Sequence, residues 1–168
     1  LRRAEEQRKA GRLADALAAY DALIEEAPEQ AEAHCGRAAT LAMQGLLDEA
    51  MPSFEMAVKL DPQLTKGWYN LGLALQKSDV LERAASCFER ALELEPSHDK
   101  ALVQLGLLRS RCGDLHQGIE LVRRAAALRP DHPGVRHNLG TMLAKIGQHE
   151  QAIAQFDVAL GLDSHQID

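Results

Sequence analysis

Aromatic residues make up only 4% of this 168-residue chain. β-branched residues are also scarce, which argues against an extensive sheet. No apolar run approaches the roughly 20 residues needed to cross a bilayer, so membrane insertion is not expected. The opening LRRAEEQRKAGRL lacks an apolar core and carries two glutamates, so it does not read as a secretory or transit peptide. Lys and Arg number 19 against 25 Asp and Glu, a formal charge of −6. No global basic field invites nucleic acid or an anionic membrane. The three cysteines, Cys35, Cys87 and Cys112, show no CxxC spacing and read as small buried or half-buried hydrophobes. Reduced thiols fit a cytoplasmic setting.

What the chain does have is Ala and Leu, which lose little on entering a helix, and a period. Pro28, Pro62, Pro96 and Pro130 each lie 34 residues from the last. Gly72, Gly106 and Gly140 keep the same spacing, with Leu71, Leu105 and Leu139 just before them. A bulky ladder runs through Tyr20, Phe54, Phe88, Val122 and Phe156, and a small one through Ala16, Ala50, Ala84, Gly118 and Ala152. A second small ladder is Ala57, Ala91, Ala125 and Ala159. The period divides the chain into five repeats, 1–30, 31–64, 65–98, 99–132 and 133–166, in a single array over 1–168.

Each repeat holds two helices. In the third, the spacing predicts one from about Thr65 to Lys77 and another from about Leu81 to Leu94. The break between them carries Gly11, Gly45, Gly113 or Gly147 in the other repeats, as a helix end demands. The following proline closes the second helix, and Pro133 suits a first turn. Pro52 falls about one turn into a helix, where slight distortion is expected. Small side chains allow two helix axes to approach to about 8–10 Å, a role that falls to Gly72, Ala84 and Ala91, with Phe88 filling the space between hairpins. No repeat can bury its apolar faces alone, so neighbours must stack into an elongated solenoid.

These residues resemble the tetratricopeptide repeat (TPR) family, whose motif W-x2-L-G-x2-Y…A-x3-F…P is met at Trp68, Leu71, Gly72, Leu75 (for Tyr), Ala84, Phe88 and Pro96. Repeat 31–64 has His34 and Arg37 for Trp and Leu, repeat 99–132 departs at Gly118 and Val122, and Ser164 stands where the last proline belongs. The resemblance implies an all-α, right-handed superhelix of about ten antiparallel helices. Its concave groove would be lined mainly by the first helix of each pair.

No catalytic, cofactor or metal site can be proposed. None of the seven histidines forms HExxH, and no G-x-x-x-x-G-K-[ST] loop exists. Function then falls to the groove. By resemblance its side chains are Lys66, Tyr69, Asn70, Leu73 and Lys77 in the third repeat, beside Gln76. The fourth offers Lys100, Gln104, Leu107 and Arg111, beside Val103 and Ser110, and the fifth His137, Asn138, Thr141 and Lys145. The second is blander, with Glu32, Cys35, Gly36, Ala39, Ala42 and Met43.

The basic groove residues stand out in an acidic chain, whose negative charge gathers elsewhere, as at Glu89, Glu93 and Glu95. They would favour an acidic or C-terminal-carboxylate peptide, although cations near helix C-termini are also favoured by the macrodipole alone. Asn70, Gln104 and Asn138 form an amide ladder able to bind a peptide backbone with donor and acceptor, as family members do. They could equally be a solvated polar face. Asn70 and Lys100 match two places of the family's carboxylate clamp, but Cys35, Ala39 and Gln104 occupy the other three. Recognition of Hsp70 or Hsp90 C-terminal tails is therefore not expected.

Both ends look cut, as in a fragment of a larger, bacterial-type protein. The terminal DSHQID is too short for a polar capping helix, so Ile153, Phe156 and Leu160 should lie on a partly exposed apolar face. The leading expectation is an interaction scaffold that binds a peptide or protein segment in its groove. A self-assembling scaffold is the first alternative. The second is the substrate-recruiting arm of an enzyme encoded beyond the chain, such as a glycosyltransferase, because close-set repeats also resemble the targeting arm of O-GlcNAc-transferase-like enzymes.

Overall fold

A computed structural model describes residues 1–164, with side chains described through 161. The terminal residues that the capping expectation concerns thus lie largely outside the described part. Ten α-helices follow in order: α1 Arg2–Lys9, α2 Leu13–Glu26, α3 Ala31–Met43, α4 Leu47–Leu60 and α5 Thr65–Lys77. Then come α6 Leu81–Leu94, α7 Asp99–Arg111, α8 Leu115–Leu128, α9 Pro133–Lys145 and α10 His149–Ser164. They pair as α1/α2, α3/α4, α5/α6, α7/α8 and α9/α10. Helices α5 and α6 have the bounds that the sequence predicts. The helices form two compact units, Leu1–Leu94 with α1 to α6 and Glu95 onward with α7 to α10.

The turn inside each hairpin needs one residue in the left-handed region. Glycine supplies it at Gly11, Gly45, Gly113 and Gly147, whereas Asp79 adopts it with φ 59° in the third repeat. Aspartate tolerates this conformation better than most residues. The Val80 amide then donates to the Leu75 carbonyl at 2.9 Å, which closes the end of α5. Pro52 sits inside α4, and the helix runs through it unbroken. Side-chain caps open two helices: Asp114 Oδ1 accepts from the Gln117 amide, and His98 Nδ1 accepts from the Ala101 amide, both at 3.1 Å.

Between hairpins the chain is fastened by a bond the motif only hints at. Trp68 Nε1 donates to the Pro62 carbonyl at 3.0 Å. At the same register, His34 Nε2 bonds the Pro28 carbonyl at 2.7 Å and Arg136 Nε donates to that of Pro130 at 3.2 Å. Three unlike side chains thus satisfy the same orphan acceptor after a second helix. Leu102 cannot donate, and there Arg124 reaches the Pro96 carbonyl from α8 at 3.3 Å.

The core is small-on-large packing. Tyr20, Phe54 and Phe88 are buried together with Ala16, Ala50, Ala57, Ala84 and Ala91. A Cβ on Gly72 would meet the Phe88 ring at 2.7 Å, so this ring fills space within its own hairpin. Gly140 stands in the same relation to Phe156 at 2.7 Å. Arg37 replaces the motif leucine by linking three helices: Nε pairs with Asp21 at 2.6 Å and the guanidinium donates to Ser53 at 2.9 Å.

Candidate peptide-binding site

The expected groove residues all lie on first helices. On α5, Lys66 and Lys77 are exposed, while Tyr69, Asn70 and Leu73 are half-buried. On α7, Lys100 and Arg111 are exposed and Gln104 and Leu107 half-buried; on α9, His137, Thr141 and Lys145 are exposed and Asn138 half-buried. Two of the aromatic groups are held by repeat-equivalent contacts. The Tyr69 ring lies 5.9 Å from that of Phe88 and the His137 ring 5.5 Å from that of Phe156, both tilted.

Arginine and lysine differ in how their charges are met, on first helices as on second. The arginines of the second helices are neutralised or occupied: Arg83 by Glu55 at 2.8 Å, Arg90 by Glu93 at 2.7 Å, Arg123 by Glu120 at 2.7 Å and Arg124 by a carbonyl. The lysines are treated differently. Of the six, Lys9, Lys66, Lys77, Lys100 and Lys145 sit on first helices. None of these five enters an ion pair among the described residues.

In the first compact unit, Asn70, Leu73 and Lys77 meet Arg8, Ala39, Ala42 and Met43 around a cavity of about 260 Å³. All of these but Arg8 are groove positions expected from the sequence; Arg8, on α1, is not among them. Ala39 and Ala42 stand where the third repeat has Leu73 and Gln76, so volume is missing. The Asn70 amide is partly committed, because Nδ2 donates to Cys35 Sγ at 3.7 Å. Burial pushes the Cys35 thiol up, against the pull of Asn70 and of the Lys66 and Arg8 charges. The amide ladder skips Gly36, since a Cβ there would come within 2.7 Å of the Tyr20 hydroxyl.

In the second compact unit, His137 and Asn138 border a cavity of about 640 Å³ with Pro133, Phe156 and Leu160. Leu160 is 67% and Ile153 58% exposed, so the expected apolar face exists, although Phe156 itself is half-buried. Cys87 is buried and burial raises its pKa to about 11. Cys112 departs from the buried expectation: it caps the C-terminal end of α7 and is exposed. Among the described residues no group of three or more His, Cys, Asp or Glu could hold a metal. None of the described helices is long and apolar enough to cross a membrane.

Helical hairpins repeated at a fixed 34-residue spacing, with glycine under a bulky ring, define a helical-repeat protein. The chain belongs to the tetratricopeptide repeat family. Models described as tetratricopeptide repeat match residues 1–65, 65–98 and 97–164. Among solved structures, MamA from Desulfovibrio magneticus RS-1 is 23% identical, with a TM-score of 0.87 over 98% of this chain and 93% of that one. Pseudomonas aeruginosa PilF is 19% identical, with a TM-score of 0.89 over 95% and 73%. YrrB, a TPR protein with an unusual peptide-binding site, is 25% identical, with a TM-score of 0.78 over 95% and 82%. No curated protein sequence matches. The family supports a scaffold for protein–protein interaction.

Proposed function

We propose that the chain binds an acidic peptide segment of another protein along the faces of its first helices. The observation that carries this reading is that five of the six lysines stand on first helices. Second-helix arginines are matched by carboxylates or a carbonyl, while Lys66, Lys77, Lys100 and Lys145 project from first helices with no ion pair among the described residues. The macrodipole accounts for Lys77 and Lys145 in last turns, but not for Lys66 and Lys100, which lie in first turns, where a cation is disfavoured. Half-buried amides at Asn70, Gln104 and Asn138 add donors and acceptors suited to a peptide backbone. The peptide-binding site of YrrB lends support by likeness.

A display library of random decapeptides supplies the probe. Peptides captured by the whole chain should be enriched in Asp and Glu and should bind less tightly as salt rises. Affinity should fall about threefold to tenfold for each of Lys100→Ala, Asn70→Ala and Asn138→Ala. Unchanged affinity in all three variants sinks this reading.

A second reading, self-association, is favoured by the exposed Ile153 and by the exposed Leu160, which borders the 640 Å³ cavity. Large apolar side chains exposed together on one helix can mark an interaction site. Sedimentation over a range of concentrations decides it: a monomer at every concentration removes self-association.

A further inference from the structure

Deepening the peptide-binding reading, on which it rests, we infer that the cavity between α3 and α5 is a specificity pocket for one apolar side chain of the peptide, flanked by carboxylates that Arg8 and Lys77 hold. Three observations lead there. The first is size. Pockets that enclose a small-molecule ligand usually run from about 300 to 1,000 Å³, whereas this one measures about 260 Å³, suited to a single Leu, Ile, Met or Phe side chain. Its walls include Ala39, Ala42, Met43 and Leu73, which offer such a side chain dispersion contacts, and the Asn70 amide borders it as well.

The second observation is the state of Arg8. Its guanidinium is half-buried, yet it enters no ion pair among the described residues. Its Nε is buried without a hydrogen-bond partner, as is Oε1 of neighbouring Gln7. The guanidinium donates to Met43 Sδ at 3.8 Å, a weak acceptor, and among the described residues otherwise meets only the neutral Tyr20 hydroxyl. Burial raises the pKa of that hydroxyl, and Arg8 beside it pulls the other way by hydrogen bond and charge. A partly desolvated cation without a counter-charge is costly, and a ligand carboxylate relieves that cost. Lys77 borders the same cavity and has no ion pair among the described residues.

The third observation is the contrast with the next repeat. The third repeat carries Leu73 and Gln76 where Ala39 and Ala42 stand. The cavity therefore exists because two side chains of this array are short, and restoring their length should close it without burdening the fold. An extended peptide directs successive side chains to opposite faces. The fitting ligand therefore carries its acidic residues about two places before or after the apolar anchor, on the same side.

The test screens the same decapeptide library against the whole chain and against the variant Ala39→Leu/Ala42→Gln, with circular dichroism confirming that both are folded. Peptides captured by the unaltered chain should share an apolar residue with Asp or Glu about two places away. A synthetic peptide of that kind should bind the filled variant about tenfold less tightly or worse. It should lose about threefold to tenfold with Arg8→Gln, and that loss should vanish when the peptide's acidic residue is replaced by its amide. Peptides that bind both forms equally, yet lose affinity with Lys100→Ala or Asn138→Ala, overturn the pocket and leave the broader reading standing. A library that yields no peptide sensitive to any of these variants overturns both.

Discussion

Hairpins α5/α6 and α7/α8 solve the same packing problem in different materials. In the first, the nearest atoms to a Cβ on Gly72 would all belong to the Phe88 ring, at 2.7 to 3.0 Å. In the second the ring is gone. A Cβ on Gly106 would meet Val122 at 2.7 Å and the Gly118 carbonyl at 2.9 Å, and one on Gly118 would lie 2.6 Å from the Gly106 carbonyl and 2.7 Å from Met142. Loss of the ring is thus offset three ways: the facing alanine becomes glycine, the backbones close up, and Met142 from α9 enters the remaining space. A departure from the motif at two positions is one coordinated repacking, and Val122 remains fully buried.

The largest expected difference between the hairpins is in their cores. Phe88→Ala should cost about 3–5 kcal/mol and Val122→Ala about 2 kcal/mol in urea denaturation followed by circular dichroism. Equal costs would mean that the closer backbones do not compensate for the ring. Next, Gly118→Ala should cost about 2–3 kcal/mol, because the obstructing atom is a backbone carbonyl that cannot swing aside. A neutral result would show that α7 and α8 can separate freely.

The inter-hairpin fastening gives the third contrast. Trp68→Phe keeps the ring but removes the donor to Pro62, and should cost about 1 kcal/mol. Arg124→Gln, which concerns a longer and more exposed bond to Pro96, should cost less than about 0.5 kcal/mol. At the turns, Gly113→Ala should destabilise by about 1 kcal/mol, since this position is left-handed.

The smallest effects concern the thiols of the two hairpins. At pH 8 an aromatic disulfide reagent should modify Cys112 rapidly and Cys87 slowly. Burial raises the Cys87 pKa to about 11, so its neutral form is favoured in the folded state. Its contribution is complete below the unfolded value near 9 and is lost as pH rises through 11. A Cys87→Ala variant should therefore lose less stability between pH 9 and 11 than the unaltered chain.

Most of the fold was legible because it is periodic. A 34-residue spacing of proline, glycine and ring marks every helix, and the bounds of α5 and α6 follow from one repeat alone. The irregularities were harder to read, because each depends on a partner distant in sequence. Arg37 looks like a motif failure until Asp21 and Ser53 appear beside it. Gly118 looks like another until Met142 does. The candidate site was less legible still. Charge and amide ladders point to the first helices, but a cavity is absent volume, and short side chains such as Ala39 and Ala42 announce nothing until their neighbours are known. Arg8 belongs to the site through packing across repeats, which no single 34-residue window displays.

The bond from the carbonyls of Pro28, Pro62 and Pro130 to a side chain six residues later has a consequence for where the chain can be lengthened. Because each turn of helix takes 3.6 residues, one residue added between Pro62 and Trp68 would swing the indole about 100° away from its acceptor. These connections have no slack. The left-handed turns at Gly113 and Gly147 are different: a Cβ placed on either would meet nothing within 4 Å. Insertions, tags or grafted loops should be accepted at these turns and rejected at the prolines, so the array can be decorated inside a hairpin but extended only by whole repeats.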